Sequence, residues 1–355
     1  MFNHQSNRFN PIGYTPFTID YQPLTDDWRR WIAENKLLGN SDESILAAAA
    51  KHNLNPIEVR QEIATLANHP YFQAGQYCAQ MLGKLQSHLG IYAKLAQLSP
   101  QPQQIDCRDR LSTQEFLENY YATNTPVILT KMMDDWPAMQ LWTIDYLKTT
   151  YGQVEVEVQT NRQTDRDYEI NVDEHRQTVL FAEYIDRVCG QGTSNDYYMT
   201  AINNNLEKTK LRKLLADIEI FPDFLDPGDG DGKVYFWLGP AGTITPLHHD
   251  PGNLIMAQVM GRKLWRLIPP YQTQWLYNYQ EYYSEVDCEN PDYDRYPLYR
   301  NVEPIEVILE PGEAIFVPVG WWHHVRAIDI TISVSFTNFR FDNEFNWQFP
   351  FLPRR

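Results

Sequence analysis

The chain has only four cysteines in 355 residues, Cys78, Cys107, Cys189 and Cys288, and no two of them form a CxxC pair. This excludes a compact zinc-binding cysteine motif and a short-spaced disulfide framework, and it points to reduced thiols in a cytoplasmic protein. Long apolar runs are also missing: no stretch of about 18 residues is uninterrupted by polar groups, and the opening MFNHQSNRFNPIGYTPF holds no apolar signal core. Neither membrane insertion nor secretion is expected. Positive charge is in deficit, with 30 Lys and Arg against 46 Asp and Glu, a formal net charge of −16. An acidic surface repels phosphate backbones, so nucleic acid is not an expected partner, although a cationic peptide would be tolerated. No internal repeat or long low-complexity tract is visible.

Aromatic residues, in contrast, are plentiful: 10 Trp, 22 Tyr and 16 Phe favour a β-rich core. Residues 1 to about 30 carry no helical or alternating period and read as an extended arm. From Trp31 to about Leu98 the pattern is helical. Ser41 can cap one helix, Asn55-Pro56 supplies an N-cap and a first-turn proline for another, and a third follows Pro70 with Tyr77, Met81, Leu85 and Leu89 recurring every four residues. These helices lack the dense basic face of a helix-turn-helix reader. The Pro- and Gln-rich stretch 99–104 reads as a linker, dividing a helical segment, 1–104, from a second domain, 105–355.

Beyond the linker the period becomes two. Val154, Val156 and Val158 alternate with polar residues, as do Ile330, Ile332, Val334 and Phe336, and turn signals fall at Gly239-Pro240, Met260-Gly261 and Pro311-Gly312. Residues 106 to about 345 therefore read as an antiparallel sandwich or barrel.

Within it, Thr245-Pro246-Leu247-His248-His249-Asp250 follows a strand-like run and a turn. On an extended strand His248 and Asp250 face the same side, so an imidazole nitrogen and a carboxylate oxygen can meet one metal ion, while His249 points away. A third ligand can come from Gly320-Trp321-Trp322-His323-His324, where either histidine qualifies. Two histidines and one carboxylate on one face of an octahedron leave three positions open, as in non-haem Fe(II) oxygenases. Lys263 shares a strand face with Trp265 and Leu267. Buried there, its ammonium needs an anion such as a dicarboxylate cosubstrate, unless its tip reaches water or a surface acid at a barrel mouth.

Taken in order, Thr245-Pro246-x-His248-x-Asp250, Gln258-x-x-Gly261-x-Lys263, Leu267-x-Pro269-Pro270, Asn290-Pro291-Asp292-Tyr293 and Pro311-Gly312 followed by Pro318-x-x-Trp321-Trp322-His323-His324 resemble the cupin-like JmjC hydroxylases, and most nearly their asparaginyl-hydroxylase branch, factor inhibiting hypoxia-inducible factor. Pro126 to Leu129 and Asp135 to Ala138 are similar to the opening of that domain. The resemblance covers about residues 106 to 340. It implies a double-stranded β-helix (jelly roll) preceded by an N-terminal helical subdomain, with Fe(II) held by His248, Asp250 and His323, and His324 left to packing. It further implies that Thr245 and Lys263 hold the distal carboxylate of 2-oxoglutarate, helped by Tyr198 or its neighbour Tyr197. Ser335 stands where the asparaginyl hydroxylase has an asparagine. The implied reaction uses dioxygen to hydroxylate a side chain in a peptide or protein; a small-molecule substrate, or a metal-binding cupin that is not an oxygenase, are the alternatives. Residues around Pro251-Gly252-Asn253 differ from that branch, and so does the end of the chain, so any homodimer is expected to use another surface.

Overall fold

The computed structural model describes residues 20–98, 104–190, 192–280, 282–343 and 345. Two compact units emerge, residues 1–88 and 89–355.

The first unit is helical. Helix α1 (Asp26–Leu37) starts where Thr25 accepts from the Trp28 amide, and Asp26 and Asp27 occupy its positive end. The expected extended arm therefore stops earlier than residue 30; its Asn- and Pro-rich composition hid this cap, and its first 19 residues lie outside the described ones. Helices α2 (Asp42–Lys51) and α3 (Pro56–Leu66) begin at the Ser41 and Asn55 caps that the sequence signals, with Pro56 in the first turn. Ile32, Ile45, Val59 and Ile63 close a small core. Helix α4 spans Pro70–Gln97. The expected linker falls almost wholly outside the described residues.

The second unit carries strands β1 (Asp106–Asp109), β2 (Val127–Thr130), β3 (Glu155–Gln159), β4 (Arg176–Leu180), β5 (Val234–Gly239), β6 (Ile244–His248), β7 (Leu254–Met260), β8 (Lys263–Ile268), β9 (Asn278–Tyr279), β10 (Tyr283–Ser284), β11 (Ile305–Leu309), β12 (Ala314–Val317), β13 (Trp322–Ala327) and β14 (Thr331–Phe336). One sheet has the order β1-β2-β12-β7-β14-β5, the other β11-β8-β13-β6-β10-β9, and β3 pairs with β4 alone. From β5 to β14 the long strands alternate between the two sheets except at the β8–β11 pair. This is the double-stranded β-helix, the jelly roll.

Alternation along each strand decides what faces the barrel interior. On β14, Ile332, Val334 and Phe336 join the larger core behind the first sheet, while Thr331, Ser333 and Ser335 are also buried, because both faces of this sheet are covered. Between the sheets Met256, Ile315 and Val317 meet Trp265, Leu267 and Val325. The excursion 270–302 covers the outer face of the second sheet, packing Leu276, Val286 and Tyr299 on Ile268 and Trp322. Strands β7 and β8 join at Gly261, whose φ is +69°; a Cβ there would lie 2.1 Å from the Ile330 carbonyl oxygen, so the turn admits only glycine. Among the described residues no helix is long and apolar enough to cross a membrane.

Candidate metal and cosubstrate site

Strand pairing builds the candidate metal site. His248 ends β6 and lies directly opposite His323 on β13, with the ring centroids 4.2 Å apart. Asp250 follows two residues after His248, and its carboxylate oxygens lie 3.9 Å from His248 Nε2 and 3.5 Å from His323 Nε2. One donor atom from each residue falls within 4.8 Å of the other two. The Gly320 amide, at a positive φ, donates to the Asp250 carbonyl at 3.3 Å and ties the two donor-bearing segments together.

The tautomers suit a cation. His248 Nδ1 is 2.8 Å from the Pro246 carbonyl and His323 Nδ1 is 3.0 Å from the Trp321 carbonyl. A carbonyl only accepts, so each Nδ1 carries the proton and each Nε2 turns a lone pair toward Asp250. Burial, with His248 close by, pushes the His323 imidazole well below the ordinary range and keeps it neutral. About a third of the Asp250 side chain, 34%, is open to the cavity, yet the enclosing walls still raise its carboxyl. Two imidazole nitrogens and a carboxylate converging in this way fit a divalent ion, which would favour the ionised Asp250 carboxylate and reinforce the neutral His323 imidazole.

These donors line a cavity of about 820 Å³ that also takes in Tyr198, Thr245, Lys263 and Ser335. Lys263 is 1% exposed, and burial alone lowers its ammonium to about 7. Its Nζ donates to the Tyr198 hydroxyl at 3.3 Å and lies 5.7 Å from the Trp237 ring centre. Among the described residues no carboxylate makes an ion pair with it. Of the two tyrosines left open by the sequence, Tyr198 is the one in the cavity. Tyr197 instead packs against the larger core and under the Arg187 guanidinium. Thr245 touches Tyr198, and the Ser335 hydroxyl accepts from Trp237 Nε1 at 2.8 Å.

The neighbouring histidines stand on the other face of the second sheet. His249 meets Trp322 edge-on, with ring centres 4.6 Å apart, and His324 Nδ1 lies 3.4 Å from an Arg266 nitrogen. Burial lowers each to about 4.

Three site neighbours escape a reading by motif. Arg162, 1% exposed, pairs with Glu169 at 2.6 Å, donates to the Ile244 carbonyl and lies 5.1 Å from the Tyr198 ring centre. Nothing local in the sequence marks it. Tyr283 stacks on His248 at 5.7 Å from a two-residue strand too short to show a period. Trp237 could have been found from the alternation of Tyr235 and Trp237 with Val234, Phe236 and Leu238.

Residues 112–346 match the family described as "Cupin-like domain". The chain is 35% identical over 238 residues to "Lysine-specific demethylase JMJ30" of Arabidopsis thaliana, covering 65% of this chain and 54% of that protein. It is 32% identical over 233 residues to "Lysine-specific demethylase 8" of Xenopus tropicalis, covering 63% and 50%. To human "HSPB1-associated protein 1" it is 31% identical over 235 residues, covering 59% and 47%. With most of its length matched and the jelly roll in place, the chain belongs to the cupin-like JmjC family. It spans about half the length of these curated relatives.

Proposed function

We propose that this protein is an Fe(II)- and 2-oxoglutarate-dependent oxygenase that hydroxylates a side chain in a peptide or protein, with residues 105–355 forming the oxygenase domain. The observation that carries the reading is Lys263, fully buried beside the three-donor cluster and making no ion pair with a carboxylate among the described residues. An ammonium in that setting is costly unless an anion arrives.

His248, Asp250 and His323 would hold the metal, each histidine through Nε2. Bound Fe(II) would supply the redox chemistry by which dioxygen decarboxylates 2-oxoglutarate to succinate and oxidises a C–H bond. The protein's residues orient and exclude. Lys263, with Tyr198 and Thr245 beside it, would receive the distal carboxylate, and Trp237 and Trp265 would keep that end of the cavity dry. Trp237 fills the place beside Ser335, so that hydroxyl is held by an indole before any cosubstrate arrives. The four free cysteines agree with a cytoplasmic protein.

Motif likeness to the asparaginyl hydroxylases supports hydroxylation of a side chain. The printed names of the Arabidopsis and Xenopus relatives favour a second reading, N-methyl-lysine demethylation. Both begin with oxidation of a C–H bond, so one experiment separates them: purified protein with Fe(II), ascorbate and 2-oxoglutarate is incubated with an unmethylated and a methyl-lysine peptide library, and products are weighed by mass spectrometry. Gain of one oxygen atom supports hydroxylation, and loss of a methyl group transfers the assignment to demethylation. Oxygen gained only by free amino acids or metabolites would leave the cofactors and overturn the peptide substrate. Absence of any succinate would return a non-oxygenase cupin.

A further inference from the structure

Among the described residues Arg162 is the one buried arginine. A guanidinium taken out of water is unfavourable unless its donors find partners, and an apolar side chain of similar volume would hold a core together without that difficulty. The partners lie on three separate segments. Nη2 donates to Glu169 at 2.6 Å and to the Ile244 carbonyl at 2.8 Å, Nη1 donates to Asn195 Oδ1 at 3.0 Å, and the plane lies 4.2 Å from the Tyr168 ring centre. Glu169 balances the charge, so what Arg162 adds is order.

That order falls on β6. On one side the strand pairs with β13 from Ile244 to His248, whereas on the other, among the described residues, β10 meets it only at Tyr283 opposite His248. A strand edge left in this way exposes amides and carbonyls that need partners. At the Ile244 end side chains supply them: Asn195 Oδ1 accepts from the Ile244 amide at 2.8 Å, and the Ile244 carbonyl accepts from Arg162 and, at 3.2 Å, from the Tyr168 hydroxyl. The next residue is Thr245. Arg162 also lies 5.1 Å from the Tyr198 ring centre, and it follows by three residues Gln159, whose backbone exchanges both hydrogen bonds with Tyr198, at 2.8 and 3.0 Å. The Tyr198 ring is further confined by Gly239, where a Cβ would lie 2.7 Å from Cδ2.

We propose that Arg162 is a positioning residue for the cosubstrate: with Asn195 it takes the place of a neighbouring strand beside the start of β6, and so sets the Thr245 and Tyr198 hydroxyls at Lys263. This rests on the reading of the cavity as a 2-oxoglutarate site. The His248 end of β6 is paired on both sides and does not depend on Arg162. Loss of the arginine fork therefore acts on the cosubstrate end of the cavity and spares the metal end.

Anaerobic titration of the Fe(II)-loaded full chain reads the effect. Arg162→Gln should weaken 2-oxoglutarate binding about tenfold or more and leave Fe(II) affinity within about threefold. In a chain lacking both hydroxyls, Tyr198→Phe with Thr245→Ala, the same change should weaken it less than about threefold, a non-additivity that a general loss of stability does not produce. Without iron or 2-oxoglutarate, the amides of Ile244 and Thr245 should exchange hydrogen faster in Arg162→Gln than in the wild type. Unchanged 2-oxoglutarate affinity, unchanged exchange, an equal loss in both backgrounds, or joint loss of Fe(II) and 2-oxoglutarate binding overturns the proposal. Should Arg162→Gln fail to fold, Asn195→Ala removes the partner of the Ile244 amide and leaves the Arg162–Glu169 pair in place. It should weaken 2-oxoglutarate at least about threefold, and no weakening there overturns the proposal as well. A wild type that binds no 2-oxoglutarate overturns the oxygenase reading and this proposal with it, whereas normal binding by both wild type and Arg162→Gln overturns this proposal alone.

Discussion

Lys263 shows how a single residue carries a cosubstrate assignment. Its ammonium, brought to about 7 by burial, is largely neutral above that pH in the free protein, and a dianion beside it favours the charged form. Binding of 2-oxoglutarate must then take up a proton above pH 7, so its affinity should fall by up to about tenfold per pH unit from there upward. Lys263→Ala should flatten that slope and weaken 2-oxoglutarate binding roughly thirtyfold to several thousandfold with metal affinity nearly unchanged. Calorimetry across pH 6.5 to about 9 reads both, and a pH-independent wild type would refute the protonation argument. The same shift has a stability sign. Between about 7 and 10.5 the unfolded chain binds more protons at this site than the folded one, so stability should rise with pH through that window, and less so in Lys263→Met. The donor cluster gives a second prediction. His248→Ala, Asp250→Ala or His323→Ala should each lose tight Fe(II) binding, whereas His249→Ala and His324→Ala, on the far face of the sheet, should keep it. Retention of iron by His323→Ala together with its loss in His324→Ala would reverse the distal assignment.

At the scale of elements, the turn between β7 and β8 is the point where a small change should have a large effect. Gly261→Ala forces a side chain onto a φ of +69° and into the Ile330 carbonyl, so it should cost about 2 kcal/mol or more and shift the urea midpoint accordingly. An unchanged midpoint would mean that β8 tolerates a different register from the one that aims Lys263 inward. The sequence revealed this strand, its inward face and the strands that carry His248 and His323 because period-two alternation survives where two faces meet different surroundings. It revealed the Ser41 and Asn55 caps because capping is local chemistry. It did not reveal where α1 starts, since its cap is hidden in an Asn- and Pro-rich approach, nor choose between Tyr197 and Tyr198, since that depends on single bridges from Tyr198 to Gln159 and from Met199 to Leu238. Arg162 was also invisible, because its burial is made by Glu169, Asn195 and Ile244, which lie at unrelated distances along the chain.

For the whole molecule, the division between residues 88 and 89 leaves all three donors, Lys263 and the cavity in the larger unit. A chain beginning at residue 89 should therefore fold by circular dichroism and bind Fe(II) and 2-oxoglutarate within about threefold of the full chain, a difference below 1 kcal/mol. A folded fragment with no metal affinity would show that the helical unit completes the site. Binding of 2-oxoglutarate at iron in this cavity, as proposed, is read by anaerobic titration of 2-oxoglutarate into the Fe(II)-loaded full chain, followed by visible metal-to-ligand absorption. The wild type should give a saturable band, Lys263→Ala a titration displaced to higher 2-oxoglutarate, and His323→Ala no band. No band in the wild type at any 2-oxoglutarate concentration, or equal titrations in wild type and Lys263→Ala, would contradict it.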